Sequence, residues 1–122
     1  MNTLNTKQAL SILLNYNTSD ETKTYLNKTF ESHDPEKIIY CDELEADRNS
    51  DIMKQVIGAS GRYFKLTTKN YGVEFIWYNM EKNKIEFYGY NADNIDNAKQ
   101  FILMRIKMIT NRMNAQKLEI IS

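Results

Sequence analysis

The chain contains the stretch Val56-Ile57-Gly58-Ala59-Ser60-Gly61-Arg62-Tyr63-Phe64-Lys65, in which two glycines stand three residues apart between two runs with helical spacing. Glycine has no Cβ, so the backbone can turn tightly here and another group can approach it closely. The second run predicts a helix over residues 62 to 69, whose first N–H groups lie at the positive end of the helix dipole. Such a corner is suited to hold a phosphate group.

Three further motifs follow this corner in order. They are Tyr71-Gly72-Val73-Glu74-Phe75, Ile85-Glu86-Phe87-Tyr88-Gly89, and a long run with Ile95, Ala98, Lys99 and Ile102. Together with the glycines they resemble the KH domain family, whose pattern is I-G-x-x-G-x-x-[apolar]-K, a G-V-x-[apolar] strand start, an [apolar]-x-[apolar]-x-G strand end and an A-K-x-x-I helix. The resemblance covers about residues 37 to 110 and is to the type I, eukaryotic-type arrangement β-α-α-β-β-α.

The resemblance implies an α+β fold with a three-stranded sheet and three helices on one face. We expect this KH-like domain over residues 36 to 113, after an N-terminal helical extension over residues 1 to 35 and before a C-terminal tail over residues 114 to 122. The tail contains Leu118-Glu119-Ile120-Ile121, which is compatible either with a short strand or with a docking segment.

The extension is expected to form two short helices, over residues 6 to 16 and 19 to 31. Each begins with the spacing of a capping box, Asn5 to Gln8 in the first and Thr18 to Glu21 in the second. Helices of this length are not stable alone in water. Both should therefore pack on the domain's own sheet or on another copy of the chain.

Alternation of side chains predicts two faces for the sheet. The face expected against the three helices carries Val73, Phe75, Trp77, Ile85 and Phe87, and the other carries Ile76, Tyr78 and Tyr88. An apolar second face is usually covered, here by the N-terminal helices, although a dimer interface and base stacking are alternatives.

The last helix is expected from Asn91 to about Met113. One apolar line faces the sheet, and a second line contains Phe101, Met104 and Met108. Either the N-terminal helices or a partner surface could cover the second line, since methionine adapts well to partners.

Composition and terminal sequence exclude several classes of protein. The 122 residues are 42% hydrophobic and 26% charged, with no apolar run near the roughly 20 residues of a membrane helix. The first residues contain no signal segment, and a single cysteine fits a reducing compartment. We expect one soluble cytoplasmic protein, neither secreted nor membrane-bound, or a nuclear or virion protein if the source is eukaryotic or viral.

Asn, Lys, Ile and Tyr are abundant in the chain. This composition is typical of an A/T-rich genome, viral or from a low-GC microbe.

Residues for catalysis or cofactor binding are scarce. His33 is the only histidine, and the acidic tract Asp42, Glu43, Glu45 and Asp47 is predicted to be a solvated connection. The chain has no nucleophile with a base, no metal-ligand cluster and no nucleotide-binding fingerprint. We therefore expect no enzyme activity, no metal and no cofactor.

Charge is divided unevenly along a chain whose net charge is zero. Residues 1 to 50 carry five Lys and Arg against nine Asp and Glu, and residues 51 to 122 carry eleven against seven. The positive half contains the glycine corner with Lys54, Arg62, Lys65 and Lys69 around it. A local positive field at the corner is therefore expected.

For function, the resemblance implies a single-stranded nucleic-acid binder, most readily of RNA, with single-stranded DNA also open. The glycine loop would contact phosphate, Arg62 and Lys65 would add charge, and apolar side chains would line a groove for bases. The residues expected to bind nucleic acid are Ile57, Gly58, Ala59, Ser60, Gly61, Arg62, Phe64, Lys65, Lys69, Val73 and Phe75.

One departure from the family keeps a second function open. The middle loop positions often include Lys or Arg in the family, but here they are Ala59 and Ser60. A homodimer formed through the last helix or the N-terminal helices would strengthen weak binding through effective concentration. The alternative is a KH-fold protein-interaction or structural assembly protein, a homo-oligomer with degenerate nucleic-acid binding, which the zero net charge also favours.

Overall fold

The computed structural model describes the backbone of residues 1 to 121 and the side chains of residues 1 to 117. The elements in chain order are β1 (Asn2–Asn5), α1 (Thr6–Tyr16), α2 (Asp20–Phe30), β2 (Ile38–Glu45), α3 (Ser50–Ile57), α4 (Arg62–Tyr71), β3 (Phe75–Asn79), β4 (Lys84–Gly89) and α5 (Ala92–Ile121). A single 3₁₀ turn, Ala59–Gly61, separates α3 from α4. Elements β2 to α5 thus follow the order β-α-α-β-β-α.

The α+β class is confirmed, but the prediction of a three-stranded sheet is wrong by one strand. The sheet is antiparallel and has four strands in the order β1-β2-β4-β3. Strand β1 pairs with β2 from Asn2 opposite Cys41 to Asn5 opposite Ile38. Two of the four residues of β1 are asparagines, which have a low strand propensity. The strand therefore forms because it pairs with β2, and the local sequence does not predict it.

Helices cover both faces of the sheet, which explains why two separate clusters of buried side chains form. On one face α3, α4 and α5 enclose a cluster that includes Val56, Phe64, Ile76, Ile85, Phe87, Ile95 and Ile102. On the other face α1 and α2 enclose a second cluster with Ala9, Leu13, Leu26, Phe30, Ile39, Phe75 and Tyr88. The N-terminal helices therefore cover the second face of the sheet.

The two faces of β3 are reversed from the prediction. Phe75 lies opposite Tyr88, and Ile76 lies opposite Phe87. Phe75 and Trp77 therefore contact the α1–α2 side, while Ile76 and Tyr78 contact the α3–α5 side. Because side chains alternate between faces, a shift of one residue in the pairing register moves every side chain of a strand to the other face.

Polar caps fix the start of both N-terminal helices. Asn5 and Gln8 form the predicted capping box at 2.8 and 3.1 Å. The second cap is one residue later than predicted, since Ser19 rather than Thr18 accepts from the Thr22 N–H, at 3.2 Å. Each cap satisfies a backbone N–H that would otherwise have no partner.

Helix α5 is longer than predicted. Its N-terminus is capped by Asn91, whose Oδ1 accepts from the Asn94 N–H at 3.0 Å, and the helix continues to Ile121 instead of ending near Met113. Residues 114 to 121 of the predicted tail are thus helical, and Ser122 lies outside the described residues, as do the side chains of Leu118 to Ile121.

The second apolar line of α5 is not covered by the N-terminal helices, which lie across the sheet from it. Phe101 packs on Tyr71 with ring centres 5.3 Å apart. Met104 and Met108 are 61% and 57% exposed. These two side chains, one turn apart, leave an apolar strip on the outer face of α5.

The acidic tract is not the solvated connection that was predicted, because most of it belongs to β2. Asp42 lies inside the strand, and its Oδ2 is 2.8 Å from Lys99 Nζ on α5. Burial alone would raise the pKa of Asp42, but the hydrogen bond and charge of Lys99, with a backbone hydrogen bond at Glu43, hold that pKa below its ordinary value. This ion pair ties α5 to the middle of the sheet.

Within residues 1 to 121, no helix is both long enough and apolar enough to cross a lipid bilayer.

The packing of α2 generates a stability prediction. Leu26 is fully buried against the sheet, so Leu26→Ala should lower the free energy of unfolding by about 2 to 5 kcal/mol through lost burial and a cavity. Lys23→Ala on the exposed side of the same helix should change it by less than about 0.5 kcal/mol. Urea unfolding followed by circular dichroism measures both, and equal stabilities for Leu26→Ala and wild type would show that α2 is not part of the fold.

Candidate functional site

The glycine corner is a true break between two helices. Helix α3 ends at Ile57, and the Gly58 N–H donates to the Lys54 carbonyl at 2.9 Å. Gly58 and Gly61 have φ of +80° and +73°, a region that side chains with a Cβ rarely adopt. Ser60 also has a positive φ, +55°. Ala59 and Ser60 are exposed, so the corner is open to a ligand.

The two glycines are needed for different reasons. A Cβ on Gly58 would lie 2.5 Å from Cδ2 of Tyr63, because the Tyr63 ring packs directly on that backbone. A Cβ on Gly61 would meet nothing within 4 Å. Gly58 therefore supports the packing behind the corner, whereas Gly61 leaves space in front of it.

A groove of about 530 Å³ runs beside the corner. One wall is formed by α3, the corner and α4, the opposite wall by α2 and the turn before it, and the floor by β3. The lining residues are Asn17, Glu21, Thr22, Tyr25, Ile57, Ser60, Gly61, Phe64, Lys65, Thr68, Phe75, Ile76, Trp77, Tyr78 and Met80.

The floor of the groove is a sheet edge. Within the described chain β3 pairs only with β4, so its other edge presents backbone N–H and C=O groups without strand partners. The groove can therefore offer hydrogen bonds from the backbone as well as apolar contact. A groove that combines backbone hydrogen bonds with apolar contact fits an extended ligand, which could be a nucleotide strand or a peptide.

Five aromatic side chains line the groove, namely Tyr25, Phe64, Phe75, Trp77 and Tyr78. Tyr25 lies 5.9 Å from Phe75 between ring centres, and Tyr16 lies 5.6 Å from Trp77. Trp77 is half-buried, and its Nε1–H donates to Glu86 Oε1 at 3.0 Å, which fixes the indole plane. Fixed, partly exposed rings are suitable for stacking with planar groups.

Opposite charges face each other across the groove. Lys65 is exposed on the α4 wall and Glu21 on the α2 wall, so the groove carries no net charge. Positive charge is concentrated outside the groove, on α4 and on the far side of the corner.

The structure brings six of the eleven expected residues into the groove: Ile57, Ser60, Gly61, Phe64, Lys65 and Phe75. Gly58 and Ala59 line a different cavity on the far side of the corner. Arg62 and Lys69 are exposed on α4 outside both cavities. Val73 is 5% exposed and belongs to the core under α5.

The α2 wall and two aromatic residues of the floor were not predicted from the sequence. Tyr25 lies in the extension, which the family resemblance does not cover, and Trp77 and Tyr78 were assigned without a role in the groove. The signal that could have found the floor is the run Phe75-Ile76-Trp77-Tyr78, which presents large side chains on both faces of one short strand.

Cys41, the single cysteine of the chain, is a free thiol on β2. Burial raises the pKa of the Cys41 thiol, and the carboxylates of Glu86 and Asp42 raise it further. Cys41 is therefore a thiol near neutral pH and a weak nucleophile. Among the described residues no three His, Cys, Asp or Glu side chains come together as a metal site.

Comparison with known proteins returns no match of the chain to a protein-family model, to a curated protein or to a solved structure.

The geometry at the two glycines predicts unequal effects of substitution. Gly58→Ala should cost about 1 to 3 kcal/mol from backbone conformation and more from the contact with Tyr63. Gly61→Asn should cost less than about 1 kcal/mol, because asparagine tolerates this conformation and the space is open. Thermal unfolding of both variants measures this difference, and a larger loss at Gly61 than at Gly58 would contradict the described packing.

Proposed function

We propose that this protein binds single-stranded nucleic acid in the groove, RNA in the first place, as its resemblance to type I KH domains implies. The observation that carries the proposal is the position of an aromatic groove of about 530 Å³ directly beside an exposed glycine corner at the N-terminus of α4. The order β-α-α-β-β-α from β2 to α5 supports it as well.

The corner supplies the contacts to the sugar-phosphate backbone. The Arg62 N–H at the start of α4 donates to the Ala59 carbonyl. The next N–H groups of the first turn have no such acceptor in their own helix, and the helix dipole favours an anion there. Ser60 and Gly61 form the rim of the groove, and the missing side chain of Gly61 lets a phosphate approach closely. Lys65, one turn further along α4, adds an exposed positive charge.

The groove holds the bases. Trp77 and Tyr25 provide partly exposed rings for stacking, which contributes roughly 1 to 3 kcal/mol for each stacked base in proteins of this kind. The free edge of β3 provides donors and acceptors for the base edges. A strand of about four nucleotides would occupy such a groove.

Two features keep the affinity of one domain low. The exposed tip of the corner is Ala59 and Ser60, which carry no charge, and Glu21 faces the strand from the α2 wall. The salt-dependent part of the binding free energy that the groove and the tip of the corner contribute should therefore be small. The protein acts as a binding module in this proposal, without catalytic residues or a cofactor.

Substitution on the corner side of the groove tests this proposal. Ser60→Asp with Lys65→Gln places negative charge at the proposed phosphate position, and aspartate tolerates the backbone conformation of residue 60. We expect at least about tenfold weaker binding of a fluorescein-labelled single-stranded RNA octamer of randomised sequence, measured by fluorescence anisotropy.

The matched control is Lys7→Glu, which makes the same change in total charge. Lys7 is exposed in the first turn of α1, which follows the strand at the opposite edge of the sheet, so this variant should bind like wild type. Equal binding by the groove variant and the control, or no binding of the RNA by wild type, would rule out the proposed site.

The second candidate function is a homo-oligomeric assembly or protein-interaction module, which the exposed strip of Met104 and Met108 favours. Under this alternative, light scattering of purified wild type would give an oligomer free of nucleic acid, and Met104→Lys with Met108→Lys would convert it to a monomer. A wild-type monomer, or nucleic acid copurifying by the ratio of absorbance at 260 and 280 nm, would count against it.

A further inference from the structure

A second cavity lies behind the glycine corner, between α3, α4 and α5. Its volume is about 400 Å³, and its lining residues are Lys54, Gln55, Gly58, Ala59, Tyr63, Arg105, Met108, Ile109 and Arg112. Three of them carry positive charge and none is acidic. We call this cavity the basic pocket.

Arg105 is the fixed cation of the basic pocket. Its Nη2 donates to the Gln55 carbonyl at 2.9 Å, near the end of α3, and its guanidinium lies 4.2 Å from the centre of the Tyr63 ring. Its Nε is buried and has no hydrogen-bond partner among the described residues. These two contacts hold the side chain in one orientation.

Tyr63 connects this pocket to the corner. Its ring packs on Gly58, and its hydroxyl accepts from Arg62 Nη2 at 3.0 Å. The hydrogen bond and charge of Arg62 lower the pKa of Tyr63, and the charge of Arg105 lowers it further. The Tyr63 hydroxyl therefore experiences a positive field from two guanidinium groups.

The positive charges of the pocket are not neutralised within the described part of the chain. In that part of the chain, the carboxylates of Asp42 and Glu74 lie within 4.0 Å of Lys99 and His33, respectively. No carboxylate lies this close to Lys54, Arg105 or Arg112 there. Lys54 and Arg112 are exposed at the rim of the pocket. A ligand with negative charge would supply the missing partners, and arginine is the residue best suited to phosphate.

The glycine corner is the ridge between the two cavities. Ser60 and Gly61 line the groove, whereas Gly58 and Ala59 line the basic pocket. We propose that the basic pocket binds a phosphodiester group of the same nucleic-acid strand, where the strand passes over the corner after leaving the groove. This proposal depends on the proposed function and extends the binding site beyond the nucleotides held in the groove.

Salt dependence of binding tests the proposal. Lys54→Gln with Arg112→Gln removes the two exposed cations and leaves Arg105 and the groove intact. For single strands each neutralised phosphate contributes about 0.7 to the slope of log K against log salt concentration. Loss of the one phosphate contact in the pocket should therefore lower the magnitude of that slope by about 0.7. The probe is the fluorescein-labelled randomised RNA octamer, titrated at several salt concentrations.

A matched control makes the same change in charge at two positions of α5. Lys107→Gln with Lys117→Gln removes two exposed cations of α5 that do not line the pocket, and its slope should equal that of wild type. If the pocket variant binds with the wild-type slope, the pocket proposal is overturned while the groove stands. If wild type does not bind the octamer at all, the proposed function fails and the pocket proposal fails with it.

Discussion

The backbone of Gly58 is the constraint on which the site depends. It combines a positive φ with a ring packed where a Cβ would be, so glycine alone fits there without strain. This residue ends α3 and allows α4 to begin four residues later in a new direction. Without that break the two helices would run together, and there would be no exposed corner, no ridge between two cavities and no wall for the groove.

The N-terminal elements complete the site as well as the fold. Strand β1 extends the sheet at one edge, and α1 and α2 cover the face that would otherwise expose Phe75 and Tyr88. In covering that face, α2 also becomes the second wall of the groove and contributes Tyr25. The burial that stabilises the sheet and the shape of the proposed binding site therefore have the same origin.

The sequence predicted what is encoded locally. The bounds of α1, the break at Gly58 and the start of the last helix at Asn91 follow from capping residues, glycines and apolar spacing, and the structure has all of them. The faces of β3 and the existence of β1 depend on pairing between distant segments, which local patterns do not specify. The groove was therefore predicted on its corner side and missed on its α2 side.

The basic pocket could not be predicted for a related reason. Lys54 and Arg112 are 58 positions apart in the chain and come together only because α5 packs beside α3. In the sequence, Lys54 and Arg112 each have the pattern of a solvated cation on a helix. Only the fold brings both of them to the cavity behind the glycine corner.

Nuclear magnetic resonance mapping of the bound strand tests the account most directly. Titration of ¹⁵N-labelled protein with the unlabelled RNA octamer should shift the amide signals of residues 57 to 65 and 75 to 78, together with the indole N–H of Trp77. Unchanged signals throughout the titration, or shifts confined to the part of α5 around Met104, would contradict it.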